Sequence, residues 1–149
     1  MKIVIGCDHV AVELKNEIIR HLTGKGYTVE DVGAYTDERT DYTIYGEKVA
    51  RLVASGEYDR GIAICGTGVG IGMTCNKITG IRCVTCSEPY SAKLSRQHND
   101  TNCLAFGARV VGVELAKMIV DNWIETEYEG GRHQRRVDRL LELDQLRCP

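Results

Sequence analysis

Short apolar runs alternate with helical patterns along the chain, and this alternation restricts the fold more than any other sequence feature. The apolar runs are short and mostly rich in β-branched residues, as buried strands are; they cover 2–6, 27–32, 61–65, 81–86 and 102–106. Helical patterns follow them at 45–55, 89–97 and 113–125, and after a glycine-rich turn up to about 77. Strands that alternate with helices form a parallel sheet covered on both faces, with right-handed crossovers.

The first helical pattern shows how the helices are expected to pack. Leu14, Ile18 and Leu22 recur every four residues and form an apolar face, and Lys15 is assigned to the polar face. A polar-rich helix is predicted at about 132–146. The sequence therefore predicts an α/β, Rossmann-like three-layer domain with a five-stranded parallel sheet and an extra C-terminal helix.

Length and charge narrow the class of protein. The chain has 149 residues, the usual size of one domain, and we expect a single domain over 1–149. Charged residues make up 27% with a formal net charge of −2, without the strong basic excess of nucleic-acid-binding modules. No apolar run is long enough to span a membrane, and Met1–Gly6 lacks the long apolar core of a signal peptide. We expect a cytoplasmic protein that binds neither nucleic acid nor membrane.

The cysteines are interpreted as reduced thiols, because most of them lie inside apolar runs of a protein expected to be cytoplasmic. They are Cys7, Cys65, Cys75, Cys83, Cys86, Cys103 and Cys148. The pair Cys83 and Cys86 matches C-x-x-C, but residues three apart on a strand point to opposite faces. No second pair supplies further zinc ligands, so we predict no metal site.

Candidate functional residues gather where the predicted strands end. Ligands of such sheets bind outside the carboxyl ends of the strands. Asp8 and His9 follow the first strand, Cys65 ends the third, and Arg109 follows the fifth. A carboxylate, an imidazole, a thiol and a guanidinium are therefore expected at one edge of the sheet.

The glycine loop after the third strand is the strongest local signal. Gly66, Gly68 and Gly70 can turn backbone N–H groups toward an anion at a helix N-terminus. The loop fits neither the G-x-G-x-x-G fingerprint nor a Walker A motif. The helix N-terminus would favour the thiolate form of Cys65, which could then remove a proton from carbon. A tight turn without a ligand and a buried strand-end cysteine remain the alternatives.

His98 lies at the end of the fourth helix, which runs antiparallel to its strand and ends at the opposite edge of the sheet. It is therefore either an ordinary surface histidine or a residue that serves a neighbouring subunit. Arg132 and Arg136 are four apart, so on a helix they share one face and can hold a phosphate; a solvated basic face is the alternative. His133 is interpreted as a surface residue.

Four separated motifs, in order, carry a family resemblance that covers essentially the whole chain. They are Gly6–His9, Ile64–Gly70, Ser95–Asp100 and Gly130–Val137. With these motifs the chain closely resembles the ribose-5-phosphate isomerase type B family, whose wider group includes the galactose-6-phosphate isomerase subunits. The stretch from Cys86 to Asn102 looks most like the enterobacterial form, which is also associated with allose 6-phosphate.

The resemblance implies a metal-free, cofactor-free aldose–ketose isomerase that works through a cis-enediolate. Cys65 matches the proton acceptor, Thr67 a residue that assists proton movement, and His98 the residue that opens the furanose ring. The remaining matches are substrate contacts, which comprise Asp8, His9, the loop amides of Gly66, Thr67, Gly68, Val69 and Gly70, Asn99, Arg109, Arg132 and Arg136. The resemblance also implies a homodimer with shared active sites, sometimes paired into tetramers, and the C-terminal helix is expected at the dimer interface.

Three hypotheses about function stay open at this point. The first is interconversion of ribose 5-phosphate and ribulose 5-phosphate. The second is a six-carbon substrate, allose 6-phosphate or galactose 6-phosphate. The third is a non-catalytic sensor of a phosphorylated sugar, which the presence of Cys65, Thr67 and His98 disfavours because a sensor does not need all three.

Overall fold

The computed structural model describes residues 1–146, which form one five-stranded sheet with helices on both sides. The strands are β1 (Lys2–Cys7), β2 (Thr28–Asp31), β3 (Arg60–Cys65), β4 (Cys83–Thr85) and β5 (Cys103–Gly107). The helices are α1 (Val12–Gly24), α2 (Tyr42–Ala54), α3 (Val69–Cys75), α4 (Pro89–Asn99), α5 (Val113–Ile124) and α6 (Gln134–Gln145). All strand pairs are parallel, in the order β2-β1-β3-β5-β4. The predicted fold is therefore confirmed; Cys148 and the end of the predicted domain lie outside the described residues.

Each face of the sheet carries its own apolar core, because successive residues of a strand point to opposite faces. In β3, Ile62 and Ile64 pack against α1, α4 and α5, whereas Ala63 and Cys65 pack on the side of α2 and α3. The three central strands are buried along almost their whole length. They therefore carry continuous apolar runs rather than alternating ones.

The order of the strands reverses beside β1, and this reversal fixes where a ligand can bind. The chain passes from β1 to β2 on one side and then to β3 on the other. The crevice at the carboxyl ends of two such strands is the usual ligand site of an open α/β sheet. Cys7 pairs with Ile64 in the register of β1 and β3, and the backbone N–H of Asp8 donates to the carbonyl of Ile64 at 3.1 Å. Asp8 is thereby held beside Cys65.

Helix α6 packs loosely on the rest of the described chain. Val137 is its buried residue, whereas Leu140 and Leu143 stay exposed, as does Leu146 directly after the helix. A groove of about 480 Å³ separates Leu140 and Leu143 from residues around β4. The helix therefore presents an apolar face that its own domain does not fill.

Several predicted boundaries and one predicted surface position differ in the structure. Helix α2 begins at Tyr42 instead of Tyr45, and β4 has only three residues. Arg132 does not lie on α6: it belongs to a 3-10 turn, Gly131–His133, because Gly130 and Gly131 adopt positive φ angles of 62° and 54° that no α-helix contains. Lys15, assigned to the polar face of α1, is fully buried.

Candidate active site

Cys65 ends β3 at the crevice, and its sulfur is held by the loop that follows. The side chain is 4% exposed, and the backbone N–H of Gly68 donates a hydrogen bond to Cys65 Sγ at 3.1 Å. An N–H group directed at the sulfur stabilises negative charge on it. The thiol therefore lies where a strand end, a loop amide and the start of α3 meet.

Glycines in this loop are required by close backbone contacts. Gly68 has φ 80°, a conformation that side chains rarely adopt, and a Cβ there would lie 2.6 Å from the carbonyl carbon of Phe106. Gly107, the last residue of β5, would in turn place a Cβ 2.6 Å from the carbonyl carbon of Thr67. The loop backbone thus packs directly on the end of β5.

Side chains of Thr67 and Arg109 border the loop. Thr67 is exposed, and its Oγ1 accepts a hydrogen bond from the backbone N–H of Val69 at 3.3 Å. The backbone N–H of Arg109 donates to the carbonyl of Gly66 at 3.0 Å, and a Cβ on Gly66 would meet Arg109 Cδ at 3.7 Å. A hydroxyl and a guanidinium therefore stand beside the loop amides, as the sequence predicted for this edge.

Asp8 and His9 complete the edge from the side of β1. Asp8 is buried, and one carboxylate oxygen accepts a hydrogen bond from the backbone N–H of Val10 at 3.0 Å. His9 is half-buried, and its Nδ1 lies 3.1 Å from the carbonyl oxygen and 3.2 Å from the backbone nitrogen of Thr40. Thr40 therefore fixes the imidazole ring through one nitrogen and leaves Nε2 for another partner.

Burial raises the pKa of three other thiols in the core. Burial raises the pKa of Cys7 to about 12 and that of Cys86 to about 11. Burial also raises the pKa of Cys103 well above its usual value. These three thiols are protonated at neutral pH. Cys65 is distinguished by its position at the end of β3 and by the Gly68 N–H directed at its sulfur. The described cysteines are all free, as predicted.

Two further residues support this edge: the sequence suggests Tyr42, like Tyr45, only as a side chain that could line a pocket, and it misses the burial of Lys15. Tyr42 opens α2 and packs on the loop, since a Cβ on Gly70 would lie 2.7 Å from Tyr42 Cζ. Buried Lys15 donates from Nζ to both carboxylate oxygens of Asp31, at 2.7 and 2.5 Å, and to the carbonyl of Ala34 at 2.7 Å. Lys15 thereby anchors the β2–α2 connection that carries Thr40. Helical periodicity could not reveal its burial, because the partners come from another element.

The second group of predicted residues lies at the opposite edge of the sheet. His98 and Asn99 occupy the last turn of α4, which ends where β5 begins. Asp100 closes the helix in the left-handed conformation, φ 47°, and pairs with Arg96 at 2.7 Å and with Arg82 at 2.9 Å. The structure therefore separates His98 and Asn99 from Cys65, as the helix direction predicted.

Arg132 and Arg136 lie on the same side as His98, and His133 connects them to it. His133 is 5% exposed, so the prediction that it is a surface residue was wrong. Its ring stacks on the ring of His98 with centroids 4.2 Å apart and an interplanar angle of 11°. Arg132 Nε lies 3.4 Å from His133 Nε2. Burial first, and then the positive charges of His98, Arg132 and Arg136, lower the pKa of His133.

One group of described side chains has the composition of a metal site. Ligand atoms of His98, Glu129 and His133 all lie within 4.8 Å of one another. A metal ion binds imidazole nitrogens close to the ring plane, and one ion cannot lie in the planes of two rings stacked at 11°. The residues present therefore do not fit a metal in this arrangement without rotation of a ring.

The geometry of the site indicates which class of protein the chain belongs to. A thiol held against a loop amide where the strand order of a parallel sheet reverses, with the Arg109 guanidinium beside the loop, is the arrangement of an α/β enzyme for a small anionic substrate. The chain belongs to the Ribose/Galactose Isomerase family, whose model matches residues 3–140.

Individual relatives span the full length of the chain. The chain is 62% identical over 146 residues to ribose-5-phosphate isomerase B of Escherichia coli, with 98% of each chain covered. It is 43% identical to ribose-5-P isomerase B of Listeria innocua, with 97% of this chain and 98% of the relative covered. The solved structure of Clostridium thermocellum ribose-5-phosphate isomerase B superposes with a TM-score of 0.97 at 50% identity, covering 99% of both chains.

Proposed function

We propose that this protein is an aldose–ketose isomerase that interconverts ribose 5-phosphate and ribulose 5-phosphate through a cis-enediolate. The observation that carries the proposal is the position of Cys65 Sγ, 3.1 Å from the backbone nitrogen of Gly68 at the carboxyl end of β3. The family assignment and the ribose-5-phosphate isomerase B relatives support this substrate pair.

In this proposal Cys65 moves a proton between C1 and C2 of the open-chain sugar. As a thiolate it removes the C2 proton of the aldose and returns it to C1, which converts the aldehyde into the ketone without loss of atoms. Backbone N–H groups of Gly66, Thr67, Gly68, Val69 and Gly70 stabilise the enediolate oxygens, because they are fixed before the reaction. The Thr67 hydroxyl transfers protons between those oxygens, and Asp8 binds the sugar hydroxyls.

Ring opening and part of the phosphate binding are assigned to the opposite edge. His98 acts as the acid and base that opens the furanose, and Asn99 contacts the sugar. His9 and Arg109 hold the phosphate from the Cys65 side, and Arg132 and Arg136 hold it from the other. Arginine suits this task because its planar guanidinium binds phosphate oxygens in pairs.

Since the two sets of residues lie at opposite edges of one sheet, one chain alone does not complete the proposed site. We infer a homodimer in which His98, Asn99 and the α6 side of one chain meet Cys65 of the other; pairing of dimers into tetramers belongs to the same proposal. The exposed Leu140 and Leu143 of α6, and Leu146 directly after it, support an interface there.

The proposal also includes a cytoplasmic location, one domain over 1–149 and catalysis without metal or cofactor. Within residues 1–146, none of the helices combines the length and the hydropathy that crossing a bilayer requires.

The decisive experiment compares turnover of ribose 5-phosphate, allose 6-phosphate and galactose 6-phosphate by one preparation with added chelator. We expect ribose 5-phosphate to have the highest kcat/KM. Cys65→Ala should lower turnover by about 100-fold or more while substrate binding remains measurable. Cys86→Ala is the matched control, a buried thiol that the mechanism does not use. A preference for a six-carbon substrate would support the second hypothesis, and binding without turnover of any substrate would support a sensor.

A further inference from the structure

None of the functions assigned so far explains why the ring of His133 contacts the ring of His98. The rings lie face to face, with centroids 4.2 Å apart. His98 is half-buried at a helix end, whereas His133 is buried in the 3-10 turn before α6. An imidazole on a helix end can rotate about two side-chain bonds, so a fixed flat surface against one face restricts its orientation.

The buried ring is itself held from several directions. The backbone N–H of Glu129 donates to the carbonyl of Gln97 at 3.1 Å, which ties the segment before the 3-10 turn to the end of α4. His133 Nε2 faces Arg132 Nε at 3.4 Å. Glu129 Oε2 lies 3.6 Å from the same nitrogen, beyond hydrogen-bonding distance. Because the N–H group of Arg132 is directed at Nε2, this nitrogen accepts the hydrogen bond, as it does in a neutral imidazole ring.

Charge in the surroundings keeps that ring neutral. Burial is the largest cause that lowers the pKa of His133, and the positive charges of His98, Arg132 and Arg136 add to it, whereas Glu129 acts in the opposite direction. A neutral His133 places no like charge against the face of the His98 ring, which is the ring assigned as acid and base in the proposed ring opening.

We propose that His133 is a positioning residue that holds the His98 imidazole in the orientation required to open the furanose ring, and that it joins this ring to the phosphate-binding Arg132. The inference deepens the proposed function and rests on it. His133 does not touch the reacting atoms in this role; it acts through His98.

The ring-opening step is a proton transfer that conserves all atoms and electrons. The bond between C1 and the ring oxygen on C4 breaks, and the bond between C1 and its hydroxyl oxygen becomes a carbonyl. The hydroxyl proton leaves to a base, and the ring oxygen receives a proton from an acid. One imidazole beside the ring can do both in turn, but only if its nitrogen stays within hydrogen-bond reach of these oxygens.

Ribulose 5-phosphate gives a way to separate ring opening from the chemistry at C1 and C2. Its phosphate occupies the C5 oxygen, the group that would close a five-membered ring on the C2 carbonyl, so this sugar stays open. Exchange of its C1 protons with deuterium oxide, followed by NMR, requires the Cys65 side of the site and no ring opening. Turnover of ribose 5-phosphate requires both.

Substitutions at the two histidines should therefore affect the two measurements differently. For ribose 5-phosphate we expect kcat to fall by about 100-fold in His98→Ala and by about 10-fold or more in His133→Ala. In both variants C1 exchange in saturating ribulose 5-phosphate should change less than about 3-fold. His133→Phe keeps a flat ring for stacking and should retain more turnover than His133→Ala. His21→Ala, at a half-buried histidine paired with Asp121, is the matched control.

The double variant gives the sharpest test, because residues that act through one another are not additive. His98→Ala combined with His133→Ala should be no slower than His98→Ala alone. Equal loss of turnover and exchange in a folded His133→Ala protein, or no loss of either, would overturn the positioning role. Exchange that persists in Cys65→Ala, or full turnover in His98→Ala, would count against the proposed function instead.

Discussion

Functional groups at the Cys65 edge of the sheet are mostly backbone amides and short side chains, whereas those at the opposite, His98 edge are long side chains on a helix end and a 3-10 turn. The loop 66–70 lies against the end of β5 so closely that a side chain on Gly68 or Gly107 would collide with backbone. Arg132 and Arg136, by contrast, are exposed. The Cys65 edge is suited to stabilise charge that forms in a fixed place, whereas the long side chains of the His98 edge can extend toward a neighbouring molecule.

The difference extends to how each edge is held. A buried lysine anchors the Cys65 edge, with Lys15 paired to Asp31 beneath the β2–α2 connection. A carboxylate holds the His98 edge, where Asp100 pairs with both Arg82 and Arg96 at the end of α4. Each of these ion pairs removes charged groups from water and compensates each charge with that of its partner. Loss of one member therefore leaves the other charge uncompensated.

The largest expected effect comes from mixing two inactive proteins. Cys65→Ala disables one edge and His98→Ala the other, each lowering turnover by about 100-fold or more. After subunit exchange about half the dimers are mixed, and each mixed dimer has one intact site of two, so about a quarter of the wild-type activity should return. Turnover of ribose 5-phosphate after exchange, verified by mass-tagged chains, measures it. No recovery despite exchange would mean that the two edges do not meet between subunits.

Removal of the buried cation tests the Cys65 edge separately. Lys15→Met should lower the free energy of unfolding by about 3 kcal/mol, because Asp31 loses its partner. It should also raise KM for ribose 5-phosphate more than it changes kcat, since the loosened connection carries Thr40, which orients His9. Urea unfolding and steady-state kinetics measure both. Lys25→Met, an exposed lysine paired with Asp121 and Glu125, is the control and should cost less than about 1 kcal/mol. An unchanged KM would contradict the link to His9.

A weaker effect is expected from the carboxylate at the His98 edge. Asp100→Asn should destabilise the fold by about 2 kcal/mol, because Arg96 is almost fully buried while Asp100 itself is one-third exposed. In this variant turnover of ribose 5-phosphate, which requires ring opening, should fall further than exchange of the C1 protons of ribulose 5-phosphate, because the end of α4 carries His98. Glu47→Gln, which breaks an exposed pair with Arg51, provides the comparison and should stay within about 0.5 kcal/mol of wild type. Equal stability of the two variants would refute an anchoring role.

The smallest predicted effect is a pH dependence of stability. Because the pKa of His133 is lower in the folded protein than its ordinary 6.5, the unfolded chain binds this proton first as the pH falls. The histidine therefore costs no stability above about pH 6.5 and destabilises the fold below it. His133→Phe should lose stability less steeply than wild type between about pH 7.5 and 5.5 in urea titrations. Parallel slopes would show that His133 protonates equally in both states.

Much of this arrangement could be predicted from the sequence. The alternation of strands and helices gave the parallel sheet, and the rule for carboxyl ends brought Asp8, Cys65 and Arg109 to one edge. Helix direction alone placed His98 at the other edge. These features follow from local patterns and chain direction, which are properties of segments and not of contacts between them.

Only the tertiary structure decided which charged and aromatic side chains are buried. Lys15 falls on the polar side of a helical pattern, yet Asp31 and Ala34 of another segment make it a core residue. His133 stands among arginines in a polar stretch, yet the end of α4 covers it and stacks His98 on its ring. The sequence determined the sheet and the thiol at its edge, because periodicity and topology are encoded locally. The support of each edge was decided by contacts between distant segments, since a polar group's burial depends on the partner that compensates it.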